Sequence, residues 1–164
     1  MPVIGIQPGK IMKSGPEKIL LVDDDPAIRQ ILLRLLSEEG YFVKTAANAR
    51  EAAELAGAIP FDLVLLDLSM PEPDGWETFE EISKNNPLLP FILITARSNQ
   101  LFPSLAAGIG ALLEKPLDFT KLFQTIQALL SESETVRLAR RAGRTSVFRH
   151  IPQQTEPLAR IHAR

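Results

Sequence analysis

The chain contains no cysteine, which excludes disulfides, thiol catalysis and Cys-based zinc sites. It has two histidines, His150 and His162, both in the C-terminal tail and neither with partners at metal-binding or phosphotransfer spacing. Aromatic residues make up 6% of the chain, too few to supply a series of rings for stacking nucleic-acid bases. No apolar run approaches the roughly 18 residues that a membrane-spanning helix needs. The opening stretch, MPVIGIQPGKIMKSGPEK, mixes Pro, Gly and Lys without a continuous apolar core and makes a poor signal peptide. These absences fit a cytoplasmic protein with no membrane segment.

What is present suits one ordinary domain with tails: 164 residues, 45% of them apolar. The net charge of −2 hides an asymmetry. Residues 18–130 carry 9 Lys and Arg against 16 Asp and Glu, whereas residues 131–164 carry 7 against 3. An acidic body therefore precedes a basic tail. We read residues 1–17 as an N-terminal extension, 18–130 as the domain and 131–164 as the tail.

Four short apolar runs are bounded by turn or charge signals: ILLV (19–22), DLVLL (62–66), PFILIT (90–95) and ALLE (111–114). YFVKTA (41–46) is a weaker fifth. Runs this short and uniformly apolar suit strands buried on both faces. Helical periods lie between them. Residues 26–39 space Ile28, Ile31, Leu32, Leu35 and Leu36 three and four apart, with Pro26 suited to a first turn. Residues 48–58 open on an Asn cap, 75–85 align Trp76, Phe79 and Ile82, 98–107 form a shorter candidate, and 118–130 carry a further apolar stripe. The order is strand–helix repeated five times, which predicts an α/β fold: a doubly wound, five-stranded parallel sheet with helices on both faces.

Ligands of such sheets sit beyond the carboxyl ends of the strands. The residues there are Asp23, Asp24 and Asp25 after the first strand, Asp67 after the third, Thr95 at the end of the fourth and Lys115 after the fifth. Clustered carboxylates repel one another unless a cation joins them. One lysine is too little for Asp23, Asp24 and Asp67 together, so a hard divalent cation is implied. Mg2+ takes oxygen ligands, keeps waters and commonly completes its shell with phosphate. The site therefore reads as a place where a phosphoryl group arrives, with an aspartate as nucleophile. Thr95 and Lys115 would bind the phosphoryl oxygens away from the metal.

Four segments in order, LLVDDDP, VLLDLSMPEPDG, ILITA and LEKP, resemble the receiver domain of response regulators of bacterial two-component systems over residues 18–130. The resemblance implies the flavodoxin-like receiver fold and a phospho-acceptor switch, charged by a sensor histidine kinase or a histidine phosphotransfer protein. Asp67 then matches the acceptor, and Asp23 and Asp24 match the acidic pair. Asp24 would bind Mg2+ directly and Asp23 through water, with the Ser69 backbone carbonyl as a further ligand. Thr95 matches the switch hydroxyl and Lys115 the phosphate-binding lysine, followed by Pro116 in a bond that is commonly cis in the family. Asp25 matches no chemical position and is expected to start the first helix. Gly75 is expected to permit the turn into the third helix.

Two departures stand out. The family usually has Tyr or Phe three residues before the lysine, where this chain has Leu112, so the read-out of phosphorylation must differ. Arg97 stands where family side chains flank the phosphoryl group and tune its hydrolysis. The 34 residues after 130 are too few for a winged helix, so the chain reads as a stand-alone receiver signalling to a downstream protein target, with DNA binding not expected although the tail's arginines allow nucleic-acid contact. The tail reads as a solvated basic segment with one short helix around 132–142. SESE (131–134) is its capping box, and Val136, Ala139 and Ala142 form a thin apolar stripe. Two rivals use the same residues differently. A phosphohydrolase of the haloacid dehalogenase type needs a second acid two residues after the nucleophile, where this chain has Ser69. A non-phosphorylated docking scaffold would leave the acceptor set unused.

Overall fold

The computed structural model describes residues 13–71, 74–144 and 148–153. Six strands, β1 (Lys18–Val22), β2 (Phe42–Ala46), β3 (Leu63–Asp67), β4 (Phe91–Thr95), β5 (Ala111–Glu114) and β6 (Arg149–Ile151), form one sheet in the order β2-β1-β3-β4-β5-β6. Every pairing is parallel. The helices are α1 (Pro26–Glu38), α2 (Ala49–Ala58), α3 (Asp74–Asn85), α4 (Leu101–Ala107), α5 (Phe119–Leu130) and α6 (Glu134–Arg141), with a 3-10 turn at Ser98–Gln100 before α4.

The pleat divides the strand residues between two cores. Leu20, Val22, Val64, Leu66 and Leu93 face α2 and α3, where Phe79 stands edge-on to Phe91 at 4.8 Å. Ile19, Leu21, Leu63, Leu65 and Ile92 face α1 and α5. β3 and β4 are buried at every position, which is why they read as unbroken apolar runs. β2 lies on the sheet edge and alternates in exposure, hence its weak signal. On α1 the buried residues are Leu32 and Leu36, whereas Ile31 is exposed.

The tail departs from expectation. Residues 149–151 are a sixth strand, and the segment before them is not merely solvated. Ser133, not Ser131, caps α6 by accepting from Val136 N–H; Ser131 ends α5 and donates its hydroxyl to the Gln127 carbonyl. α6 buries Arg140 rather than a small apolar residue, in an ion pair with Glu132 at 2.8 Å. Its end lies against Gly108, the left-handed residue that closes α4 (φ +73°). A Cβ at Gly108 would lie 3.3 Å from the Arg140 carbonyl oxygen, so both the backbone conformation and the close approach require glycine. Phe148 and Ile151 then pack into opposite cores. His162 and residues 1–12 lie outside the described residues.

Candidate functional site

The carboxyl ends of β1, β3, β4 and β5 meet on one edge of the sheet, because all run the same way in register. Val22 pairs with Leu66, Asp67 with Ile94, and Thr95 with Glu114. Each candidate is therefore placed by a buried strand that has no freedom to slip. Asp23 and Asp67 are buried at 2% exposure and Asp24 is exposed. One carboxylate oxygen from each of Asp23, Asp24 and Asp67 lies within 4.8 Å of the other two.

Asp67 is held at both oxygens. Oδ1 accepts from Ser69 N–H at 2.7 Å, and Oδ2 accepts from Lys115 Nζ at 2.7 Å. Lys115 follows the end of β5, where its N–H donates to the Thr95 carbonyl, and it is joined to Pro116 by a cis bond. Asp23 Oδ1 accepts from Asp25 N–H at 2.9 Å, and its carbonyl accepts from the Arg29 guanidinium at 2.6 Å. Burial, reinforced by the neighbouring Asp67 carboxylate, pushes Asp23 up to about 6 against the opposing pull of Asp25 N–H and Lys115. Asp25 takes no part in the cluster and caps α1, its Oδ1 accepting from Ala27 and Ile28 N–H. This agrees with its expected role as a helix-start residue.

Thr95 is fully buried, and its Oγ1 accepts from Arg97 N–H at 3.0 Å. Ala96 N–H reaches Ser69 Oγ at 3.3 Å, a long contact that ties the β4–α4 loop to the loop after Asp67. Arg97 is exposed and lines a cavity of about 310 Å³ with Leu68, Met70, Trp76, Glu80 and Gln100. Leu112 is fully buried in the core that faces α2 and α3.

The loop after Asp67 falls partly outside the described residues, at 72 and 73. Gly75 is not the turn residue expected. It sits inside α3 without positive φ, and a Cβ there would lie 3.3 Å from Leu68 Cα. Close approach of α3 to the acceptor loop is what calls for glycine.

Two contacts near the site carry no sequence signal. Trp76 Nε1–H donates to Gln100 Oε1 at 3.0 Å, joining α3 to the turn before α4. Glu114 binds the tail through both oxygens: Oε1 lies 3.0 Å from His150 Nε2, and Oε2 accepts from Gln153 N–H. Neither pair has a recognisable spacing, since 24 residues separate the first and 36 and 39 the second.

The donor set fits Mg2+: hard carboxylate oxygens, one of them on an exposed side chain, and a buried acid, Asp23, raised in pKa chiefly by its burial. Among the described residues no helix is long and apolar enough to cross a membrane.

Comparison with known proteins gives a consistent picture. Residues 19–127 match the family described as the response regulator receiver domain. The transcriptional regulatory protein GlrR of Escherichia coli is 38% identical over 126 residues, covering 74% of this chain and 28% of that protein. The response regulator MprA of Mycolicibacterium vanbaalenii is 38% identical over 117 residues, covering 70% of this chain and 51% of that protein. The chain thus spans about a quarter to a half of these relatives. Among solved structures, a CheY-like receiver domain protein from Methanospirillum hungatei superposes with a TM-score of 0.69 at 33% identity, covering 74% of this chain and 99% of the other. The response regulator TrrA of Thermotoga maritima, solved in complex with Mg(2+)-BeF, gives 0.63 at 35% identity, covering 69% and 98%.

Proposed function

The chain belongs to the response regulator receiver domain family of two-component systems, and on that premise we propose that Asp67 accepts a phosphoryl group from a phosphohistidine donor and thereby changes the domain's protein contacts. The observation that carries this reading is Asp67 itself. It is a buried carboxylate gripped by Lys115 at 2.7 Å, with oxygens of Asp23 and Asp24 within 4.8 Å.

One carboxylate oxygen of Asp67 attacks phosphorus, and the P–N bond to the donor imidazole breaks. The electron pair returns to the ring nitrogen, which takes a proton as it leaves. Asp23, Asp24 and Asp67, with the Ser69 carbonyl, would hold Mg2+, whose charge offsets that of the phosphoryl oxygens. Asp24, the exposed member, would bind the ion directly and Asp23 would act through water. Lys115 turns from the Asp67 carboxylate to a phosphoryl oxygen, keeping its charge close to the new negative group. The Thr95 hydroxyl accepts from Arg97 N–H and retains its proton to donate to a phosphoryl oxygen. Arg97, at the rim, limits water access to the acyl phosphate. These groups position and neutralise charge for a single transfer to the protein itself, so the chain is a signalling switch rather than an enzyme acting on a separate substrate.

The donor is a sensor histidine kinase or a histidine phosphotransfer protein, and the output is contact with a downstream protein. Incubation with a small phosphodonor and Mg2+, followed by intact mass measurement, tests the reading. One phosphoryl group is gained, and the gain disappears in Asp67→Asn. No gain with Mg2+ bound would instead favour the docking scaffold.

A further inference from the structure

Three residues before Lys115 stands Leu112, an aliphatic residue sealed in the core, so no ring at that position reports on Asp67. A polar link between α3 and the turn before α4 lies elsewhere, between Trp76 and Gln100. We propose that the Trp76–Gln100 hydrogen bond is a tether between α3 and the start of α4, and that phosphorylation of Asp67 breaks it. The inference rests on Asp67 being the phospho-acceptor.

The loop from Thr95 to Gln100 joins the site directly to the start of α4. At present its polar groups are occupied locally: Thr95 Oγ1 by Arg97 N–H, and Ala96 N–H by Ser69 Oγ at a long 3.3 Å. A phosphoryl group on Asp67, two residues from Ser69, offers charged acceptors to the same Ala96 N–H and to the Thr95 hydroxyl. Charge-assisted hydrogen bonds are about twice as strong as neutral ones, so the loop is drawn toward Asp67. Gln100 cannot follow its side-chain partner and the loop at once. Its carbonyl accepts from the buried Ser104 hydroxyl at 2.6 Å, which makes it part of α4. Trp76 belongs to α3, where its ring stands edge-on to Phe79 at 5.8 Å. Asn99, with non-helical φ −95° and ψ 16°, is the joint between the 3-10 turn and α4. The cavity of about 310 Å³ beside Trp76 and Gln100 gives both side chains room to part. The bond between them is the one that must yield, and α4 then moves independently of α3.

Trp76 is the single tryptophan of the chain, so its indole N–H gives one resolved NMR signal. The full chain is titrated with beryllofluoride and Mg2+, with bound fluoride followed by 19F NMR. The indole proton is expected to move and to lose its protection from exchange in step with bound fluoride. Gln100→Leu is expected to show the moved, unprotected indole without beryllofluoride. It should also bind beryllofluoride about two- to tenfold more tightly, because one net hydrogen bond no longer has to be broken. Gln100→Glu, which keeps the acceptor, restores protection and the parent affinity. Bound fluoride with an unmoved, protected indole overturns the tether alone, as does unchanged affinity in a folded Gln100→Leu. Absence of bound fluoride in the parent chain overturns the phospho-acceptor reading and the tether with it.

Discussion

Asp23→Asn should make the metal-free protein more stable at neutral to alkaline pH, although it damages the proposed metal site. Asp23 is 2% exposed and its carboxyl is pushed up to about 6, chiefly by burial. A carboxyl raised in the folded state holds its proton to higher pH than in the unfolded chain, whose value lies near 3.8. The folded state therefore carries no penalty below that value. As pH rises from about 4 through about 6, the fold must accommodate a buried charge and loses stability. The full difference corresponds to roughly 3 kcal/mol. Asparagine removes the charge yet keeps an oxygen to accept from Asp25 N–H, so little is lost locally. For a domain of this size that is a rise in melting temperature on the order of 10 °C. Parent and variant are melted in chelator at about pH 8 and again near pH 4. The variant should lead by several degrees at the higher pH and by almost nothing at the lower. Mg2+ should then raise the parent's melting temperature far more than the variant's. A variant no more stable than its parent at about pH 8, or equally favoured at both pH values, would refute the reasoning.

Lys115→Ala should slow phosphoryl uptake from a small phosphodonor by tenfold or more; it should also tighten Mg2+ binding, since a competing cation leaves Asp67, and calorimetry reads the second effect. Asp25→Ala should cost about 1 kcal/mol in urea unfolding through loss of the α1 cap, with Mg2+ affinity unchanged. Glu114→Ala should speed amide exchange at Gln153 and along β6, because both tail contacts of that carboxylate disappear. Glu114 itself is held below the usual carboxylate range, first by Gln153 N–H and then by His150. Its contribution to tail docking is therefore present above the unfolded value of 4.5 and lost as pH falls through the lower folded one. Exchange at β6 measured down the pH scale, in parent and variant, should converge at the acid end.

The four strong strands were legible because a strand buried on both faces must be apolar at every position, and few other elements read that way in four or five residues. The site followed from them. Once β1, β3, β4 and β5 are parallel and in register, Asp23, Asp67, Thr95 and Lys115 have no choice but to share an edge. Asp25 was legible as a cap because a carboxylate just before Pro26 satisfies N–H groups of the first turn.

Arg140, β6 and Gln100 were not legible, for one physical reason: each takes its role from a partner distant in sequence or from a geometry that composition does not encode. An arginine at helical spacing reads as solvated, and only Glu132 placed against it makes burial tolerable. RHI has no apolar run, and becomes a strand because β5 presents an open edge between sockets for Phe148 and Ile151. Gln100 is one polar loop residue among several until α3 brings an indole N–H to 3.0 Å. The sequence by itself determined the first five strands, their succession along the chain and the meeting of charges at their ends, because burial and chain direction are written locally. Tertiary structure alone decided how the tail closes the sheet and which side chains bridge α3 to α4, because those depend on distances that only folding sets.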